Sequence, residues 1–209
     1  MDNDNLTVIM NDLPLEVANL RLPSPTLRDW YRDEEARIIW LDSEINDDAL
    51  DVSRRIFYYN KQDKDIDIKD RKPIKIFLNT PGGSVAVMWQ IVQVIKMSKT
   101  PVWTINWCDS LSAGAHILAA GHKRFALPGT TILLHSGSCA YSGTVEQAEN
   151  SKKYYDAMSK FANNELLSST AIDQKVFKKK AVTDWYISAE EALDLHIIDK
   201  IIESLDELI

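Results

Sequence analysis

At 209 residues, with an ordinary apolar share of 45%, the chain suits one domain that buries roughly 70% of its unfolded surface. A net charge of −7, from 24 basic and 31 acidic residues, argues against nucleic acid as a partner, which favours basic patches. Two cysteines, Cys108 and Cys139, are too few for a disulfide scaffold or a zinc site, and no apolar run approaches the roughly 18 residues that a membrane span needs. In chain order, the acidic start Met1-Asp2-Asn3-Asp4-Asn5 lacks the positive end and apolar stretch of a signal peptide, so reduced thiols and a cytoplasmic location are expected.

Segment 6–25 contains Pro14, Pro23 and Pro25 and reads as an arm or loop without a long helix. A strand from Arg37 to Leu41 follows, then a helix from about Asp47 to Tyr59. On that helix Val52, Ile56 and Tyr59 recur at i, i+4 and i+7 and give it one buried face. Lys61 to Pro73 intersperses acids and bases without an apolar pattern and reads as a solvated loop. From Pro73 the rhythm is strand, glycine turn, helix: Ile74 to Leu78 then Val85 to Met97, and Val102 to Trp107 then Ala113 to Ala120. A third strand runs from Thr130 to Leu134. Parallel strands joined by helical crossovers explain this economically, so the fold class is α/β. Thr144-Val145-Glu146-Gln147 is a capping box. It opens a helix reaching Leu167, with Tyr155, Met158, Ala162 and Leu166 along one side. Lys178-Lys179-Lys180 reads as solvated surface, and Ser188-Ala189-Glu190-Glu191 is a second capping box, starting a helix through Leu195.

Chemistry concentrates at the junctions. Ser112 stands between a strand and a helix start, where its hydroxyl is exposed beside unpaired N–H groups and the positive end of the helix dipole. That arrangement suits a nucleophile elbow, although Ser112 taken alone is equally an ordinary N-cap. In Leu78-Asn79-Thr80-Pro81-Gly82-Gly83-Ser84 the paired glycines let backbone approach a ligand and leave the Gly83 N–H free to point outward. His135 ends the third strand, and Asp184 precedes the last capped helix. Cys108 reads as packing; His116, His122 and His196 show no metal-ligand spacing and read as structural or surface residues.

Five blocks, in this order, carry a resemblance. Ala36-Arg37-Ile38-Ile39-Trp40-Leu41-Asp42-Ser43-Glu44-Ile45-Asn46-Asp47 comes first, then Asn79 to Ser84 and the Ser112 junction. Arg124-Phe125-Ala126-Leu127-Pro128 before the strand ending in His135, and Asp184 ahead of Ser188 to Ala192, complete the set. Together they resemble the proteolytic subunit of the Clp protease, from about Ala36 to Asp199. The resemblance implies a crotonase-like spiral of ββα units, with the Thr144–Leu167 helix projecting as a handle between rings. It implies a division into a divergent N-terminal arm, 1–35, and a single serine peptidase domain, 36–209.

On this resemblance Ser112 is the nucleophile and His135 the base that takes its proton. Asp184 is the carboxylate that orients the imidazole, with Asp173 and Glu190 as alternatives. The N–H groups of Gly83 and Ala113 form the oxyanion hole. Gly82 and Ser84 are expected beside an extended substrate, with Ser138 in the opposite wall. The implied substrates are unfolded polypeptides, cleaved inside a homo-oligomer of stacked rings, heptameric in the family. No metal or cofactor is implied. The chain has no Gly-x-x-x-x-Gly-Lys-Ser/Thr phosphate loop, so unfolding falls to a separate AAA+ ATPase, for which Phe77 holds an apolar position at the family's docking pocket. The departures are Ala113, where the family has methionine, Ser136 to Gly143, where it has Gln-Pro and a glycine segment, and His196, where a glycine follows a helix end. A catalytically silent ring subunit or scaffold stands as the alternative, and an acyl-CoA enzyme on the same fold as a third.

Overall fold

The computed structural model describes residues 25–137 and 140–208. The chain divides into two compact units, Met1–Ala36 and Arg37–Ile209. In the first, the described part is helix α1 (Pro25–Ala36), an element the sequence reading did not contain. Proline at the first helical turn, where its missing N–H is not needed, favours this start. The arm read over 6–24 lies outside the described residues.

In the second unit, β1 (Ile38–Leu41) is followed by a 3₁₀ turn, Asp47–Ala49, and helix α2 (Leu50–Gln62). The Asn46 side chain caps the turn, accepting from the Asp48 N–H at 2.9 Å. Then come β2 (Ile74–Thr80), α3 (Val85–Met97), β3 (Val102–Leu111), α4 (Ala113–Ala120), β4 (Lys123–Ala126) and β5 (Thr131–Leu134). The chain finishes with α5 (Val145–Ser169), α6 (Gln174–Lys180), β6 (Trp185–Ser188), α7 (Ala189–Asp194), β7 (Lys200–Ile201) and a 3₁₀ turn, Leu205–Leu208.

Among the described residues the seven strands form one sheet, with a path β1-β2-β3-β4-β7 and β5 and β6 branching from β3. Every pairing is parallel except β5 with β6, as expected where helical crossovers return each strand to the same end. The sheet is apolar on both faces, which suits a parallel sheet covered on both sides. Ile74, Ile76 and Leu78 of β2 enter the main core with α2, α3 and α4, while Phe77 between them joins a second cluster with Ile105, Phe125, Ile202 and Leu208. Val52, Ile56 and Tyr59 form the buried face of α2. In α5 the buried residues are Ala162 and Leu166. The half of that helix from Val145 to Met158 buries no side chain, so it stands off the sheet.

The Lys61–Pro73 segment is only partly the solvated loop expected. It begins inside α2 and holds Asp63, 1% exposed, whose carboxylate receives both Arg37 guanidinium nitrogens at 2.6 Å and the Thr100 hydroxyl at 2.9 Å.

Candidate active site

Strand register brings the site together. The first half of β3 pairs with β4, Trp103 opposite Lys123 through Asn106 opposite Ala126. Its second half pairs with β5, Asp109 opposite Thr131 through Leu111 opposite Leu133. Buried polar groups secure the switch: the Ser110 hydroxyl donates to the Asn106 side chain at 2.9 Å, and the Asn106 amide donates to the Thr131 carbonyl at 3.1 Å. The Ser112 N–H continues the β3–β5 pairing by donating to the Leu133 carbonyl at 2.9 Å, which sets Ser112 beside the end of β5. On the other edge of β5, the antiparallel register with β6 ends at Leu134 opposite Trp185. One further step puts His135 opposite Asp184. Two pairings of one short strand thus gather three residues distant in sequence.

Ser112 has φ 54 and ψ −116, a backbone conformation costly for a residue with a Cβ. As the residue before α4 it makes no side-chain cap hydrogen bond. Its Oγ lies 2.7 Å from His135 Nε2 instead. The other ring nitrogen, Nδ1, is 3.6 Å from Asp184 Oδ1, and the Asp184 side chain is 56% exposed. That separation is too long for a hydrogen bond. A carboxylate on the Nδ1 side favours the proton there, leaving Nε2 to accept from the serine. Of the other acids considered, Asp173 caps α6, accepting from the Lys175 and Val176 N–H groups, and Glu190 lies exposed in the first turn of α7.

Beside the serine, the glycine pair is held by β-type contacts. Ile45 donates its N–H to the Gly82 carbonyl at 2.8 Å and accepts from the Ser84 N–H at 2.7 Å. In such a parallel bridge the intervening Gly83 turns its own N–H and C=O away from Ile45, and Gly83, Ser112 and Ala113 line one cavity. Gly83 has φ 145, and a Cβ there would lie 2.4 Å from the Ile45 carbonyl oxygen; at Gly82, φ 97, it would lie 2.7 Å from Ser112 Cβ. Neither position admits a side chain. The Thr80 hydroxyl braces the turn, donating to the Ser43 carbonyl at 2.6 Å and accepting from the Gly82 N–H at 3.2 Å. Ala113 opens α4, so its N–H has no acceptor within the helix. The Ser84 hydroxyl is occupied as the cap of α3, accepting from Val87 N–H at 3.4 Å. Ser138 lies outside the described residues.

The cavity measures about 260 Å³. His116, read from sequence as structural or surface, lines it one helical turn beyond Ser112. Burial pushes the His116 imidazole down to about 4, against a smaller opposing effect from its hydrogen bond with the Ala162 backbone, so the ring is neutral at pH 7. The i, i+4 spacing of Ser112 and His116 was its only sequence signal. His122 is structural, its Nδ1 accepting from the Val102 N–H at 2.9 Å. His196 has φ 51 beyond α7, the conformation expected where a helix end commonly carries glycine. Cys108 is exposed, against its reading as a packing residue. Among the described residues no helix is long and apolar enough to cross a membrane.

The sequence model of the Clp protease family matches residues 28–205. The chain is 31% identical over 199 residues to the ATP-dependent Clp protease proteolytic subunit 3 of Parasynechococcus marenigrum (strain WH8102), covering 90% of this chain and 94% of that protein. It is 31% identical over 195 residues, with the same coverages, to the protein of that name from Synechococcus sp. (strain CC9605).

Proposed function

The chain belongs to the Clp protease family, and on that premise we propose that it is a serine endopeptidase subunit acting on unfolded polypeptides inside a ring-shaped chamber. The observation that carries the reading is the 2.7 Å contact between Ser112 Oγ and His135 Nε2 at a backbone position with φ 54. An ordinary capping serine has no reason to hold that strain or to point away from its helix.

In this reading His135 takes the Ser112 proton as Oγ attacks the scissile carbonyl. The N–H groups of Gly83 and Ala113 receive the oxyanion; one such donor contributes on the order of 10²–10³ in rate. Protonated His135 then hands its proton to the departing amine, and water, deprotonated by the same ring, releases the acyl group. Asp184 holds the tautomer and stabilises the imidazolium. Gly82 and Ser84 position Gly83 through their contacts with Ile45 and so build one wall of the peptide groove, with Ser138 assigned to the other.

The family reading extends to architecture: a crotonase-like spiral in the domain 36–209, α5 as the handle, and stacked homo-oligomeric rings, heptameric by resemblance. The division into a divergent N-terminal arm, 1–35, and the peptidase domain belongs to the same reading. An AAA+ unfoldase supplies substrate at the apolar face that includes Phe77, and the location is cytoplasmic. Short peptides are then cleaved without ATP and folded proteins are not. Ser112→Ala abolishes that cleavage; a variant that cleaves at the parent rate overturns the assignment. The 3.6 Å gap between His135 and Asp184 favours a second reading, a silent ring subunit. Steady failure of the assembled protein to react at Ser112 with a fluorophosphonate establishes that reading.

A further inference from the structure

The cavity beside Ser112 combines apolar walls with a polar group at its floor. His116, Met88 and Ala162 line it and also border the small gap behind it, between α3, α4 and α5. They therefore close its inner end rather than its rim. Val85, Met88 and Leu133 supply apolar walls, while His116, Ser159 and Asn163 supply hydrogen-bonding groups. Among the described residues lining it there is no Asp, Glu, Lys or Arg, so a charged side chain entering it would lose water without gaining a counter-ion. The His116 donor is engaged by the Ala162 backbone, so the neutral ring leaves one acceptor, and a primary amide or hydroxyl offers both donor and acceptor.

We propose that His116, with Ser159 and Asn163, makes this pocket select a neutral hydrogen-bonding side chain on the acyl side of the scissile bond, glutamine above others. Glutamine matches methionine in length, so its methylenes use the Val85, Met88 and Leu133 walls. Its amide meets the free His116 nitrogen at the floor and the Ser159 and Asn163 side chains along α5, none of which methionine can use. Glutamate and lysine meet the same floor as uncompensated charges. The inference rests on the peptidase reading of Ser112 for its catalytic consequence but not for the binding preference itself.

The test uses two peptides identical except for glutamine or methionine before the cleaved bond, assayed with the assembled full-length protein. The expected kcat/KM ratio is about tenfold in favour of glutamine, the size of one neutral hydrogen bond. His116→Phe brings the ratio near unity, and His116→Gln retains the preference. Should His116→Phe not accumulate as folded protein, Asn163→Leu, at a half-buried position, carries the same expectation. A parent ratio at or below one, or a ratio that survives these substitutions, overturns the inference. If neither peptide is cleaved in a Ser112-dependent way, the peptidase reading falls instead. The affinities of Ser112→Ala protein for peptides ending in glutamine or methionine, measured by calorimetry, then decide the pocket. A glutamine preference that His116→Phe removes supports the inference, and equal affinities overturn it.

Discussion

Ser112 and Asp184 sit at opposite ends of the precision the fold provides. Ser112 is fixed by the β3–β5 pairing, by the helix that begins after it, and by Gly82, whose missing side chain leaves room for Ser112 Cβ. A strained residue costs on the order of 1–3 kcal/mol and persists where its surroundings over-determine it. Asp184 is held only by following the β5–β6 register one step past its last pair, and its carboxylate is more than half exposed at 3.6 Å from His135 Nδ1. If this contact shortens when substrate binds, as catalytic hydrogen bonds often do, Asp184→Asn lowers kcat/KM for peptides by about 10²–10⁴-fold, because the amide favours the tautomer that cannot accept the serine proton. Fluorophosphonate labelling of Ser112 slows in parallel. A loss below about threefold shows that the contact does not close and removes Asp184 from the proposed triad.

Secondary elements are tied to one another by a few buried polar groups, the chief of which is the Arg37–Asp63–Thr100 cluster. It links the start of β1, the end of α2 and the turn before β3. Arg37 also donates to the Lys72 carbonyl at 3.0 Å and lies over the Tyr59 ring, 5.2 Å from its centroid. Hydrogen bonding from Arg37 holds the Asp63 carboxyl below the usual carboxylate range, outweighing the effect of burial. A depressed folded-state pKa stabilises the fold above the unfolded-state value, near 3.8, and that stabilisation disappears as pH falls through the folded value. Asp63→Asn therefore destabilises the protein by about 3–5 kcal/mol at pH 7, leaving Arg37 buried without its partner. The difference between variant and parent narrows below about pH 4. Urea unfolding at pH 7 and at steps down to about pH 2 checks this; a gap independent of pH over that whole range shows that the charge of Asp63 is not what holds these elements together.

At this same scale the chain was unevenly legible. Helices α3 and α4 were read to their observed ends, because Ser84 caps one, the Ser112 junction opens the other, and mostly apolar residues fill both. Strands β4, β6 and β7 are at least as short as β1 and β5 but mix polar with apolar residues, so no apolar run marks them, and the β6 pairing with β5 is what aims Asp184. Asp63 looked like part of a charged loop since its partner, Arg37, is 26 residues away. Within the site, the glycine pair and Ser112 were visible as junction chemistry, and His135 and Asp184 through the ordered motifs. The meeting of the three follows from strand register, which no local pattern encodes. His116 was invisible as a pocket residue because its neighbours Met88, Ser159 and Asn163 come from α3 and α5.

For the molecule as a whole, the surface left unpaired by a single chain points to assembly. Tyr154 and Phe161, seven residues apart on one face of α5, are 62% and 59% exposed, and Phe57 and Tyr58 of α2 are 70% and 50% exposed. Phe161 touches Trp89 of α3, with ring centroids 6.3 Å apart, yet most of its ring remains open. In the proposed stacked rings, α5 is the element that reaches the opposite ring, so its exposed aromatics are buried there at about 25 cal/mol per Å² of apolar area. The parent protein then sediments as a particle many times the 23.8 kDa chain. Replacing both aromatics, Tyr154→Glu with Phe161→Glu, places charges in that contact and splits the particle into smaller species. Because neither side chain belongs to the core, the far-ultraviolet circular dichroism stays that of the parent. A doubly substituted protein that keeps the parent's sedimentation coefficient shows that α5 does not join the rings, and moves the assembly contact to other surfaces such as the Phe57–Tyr58 face of α2.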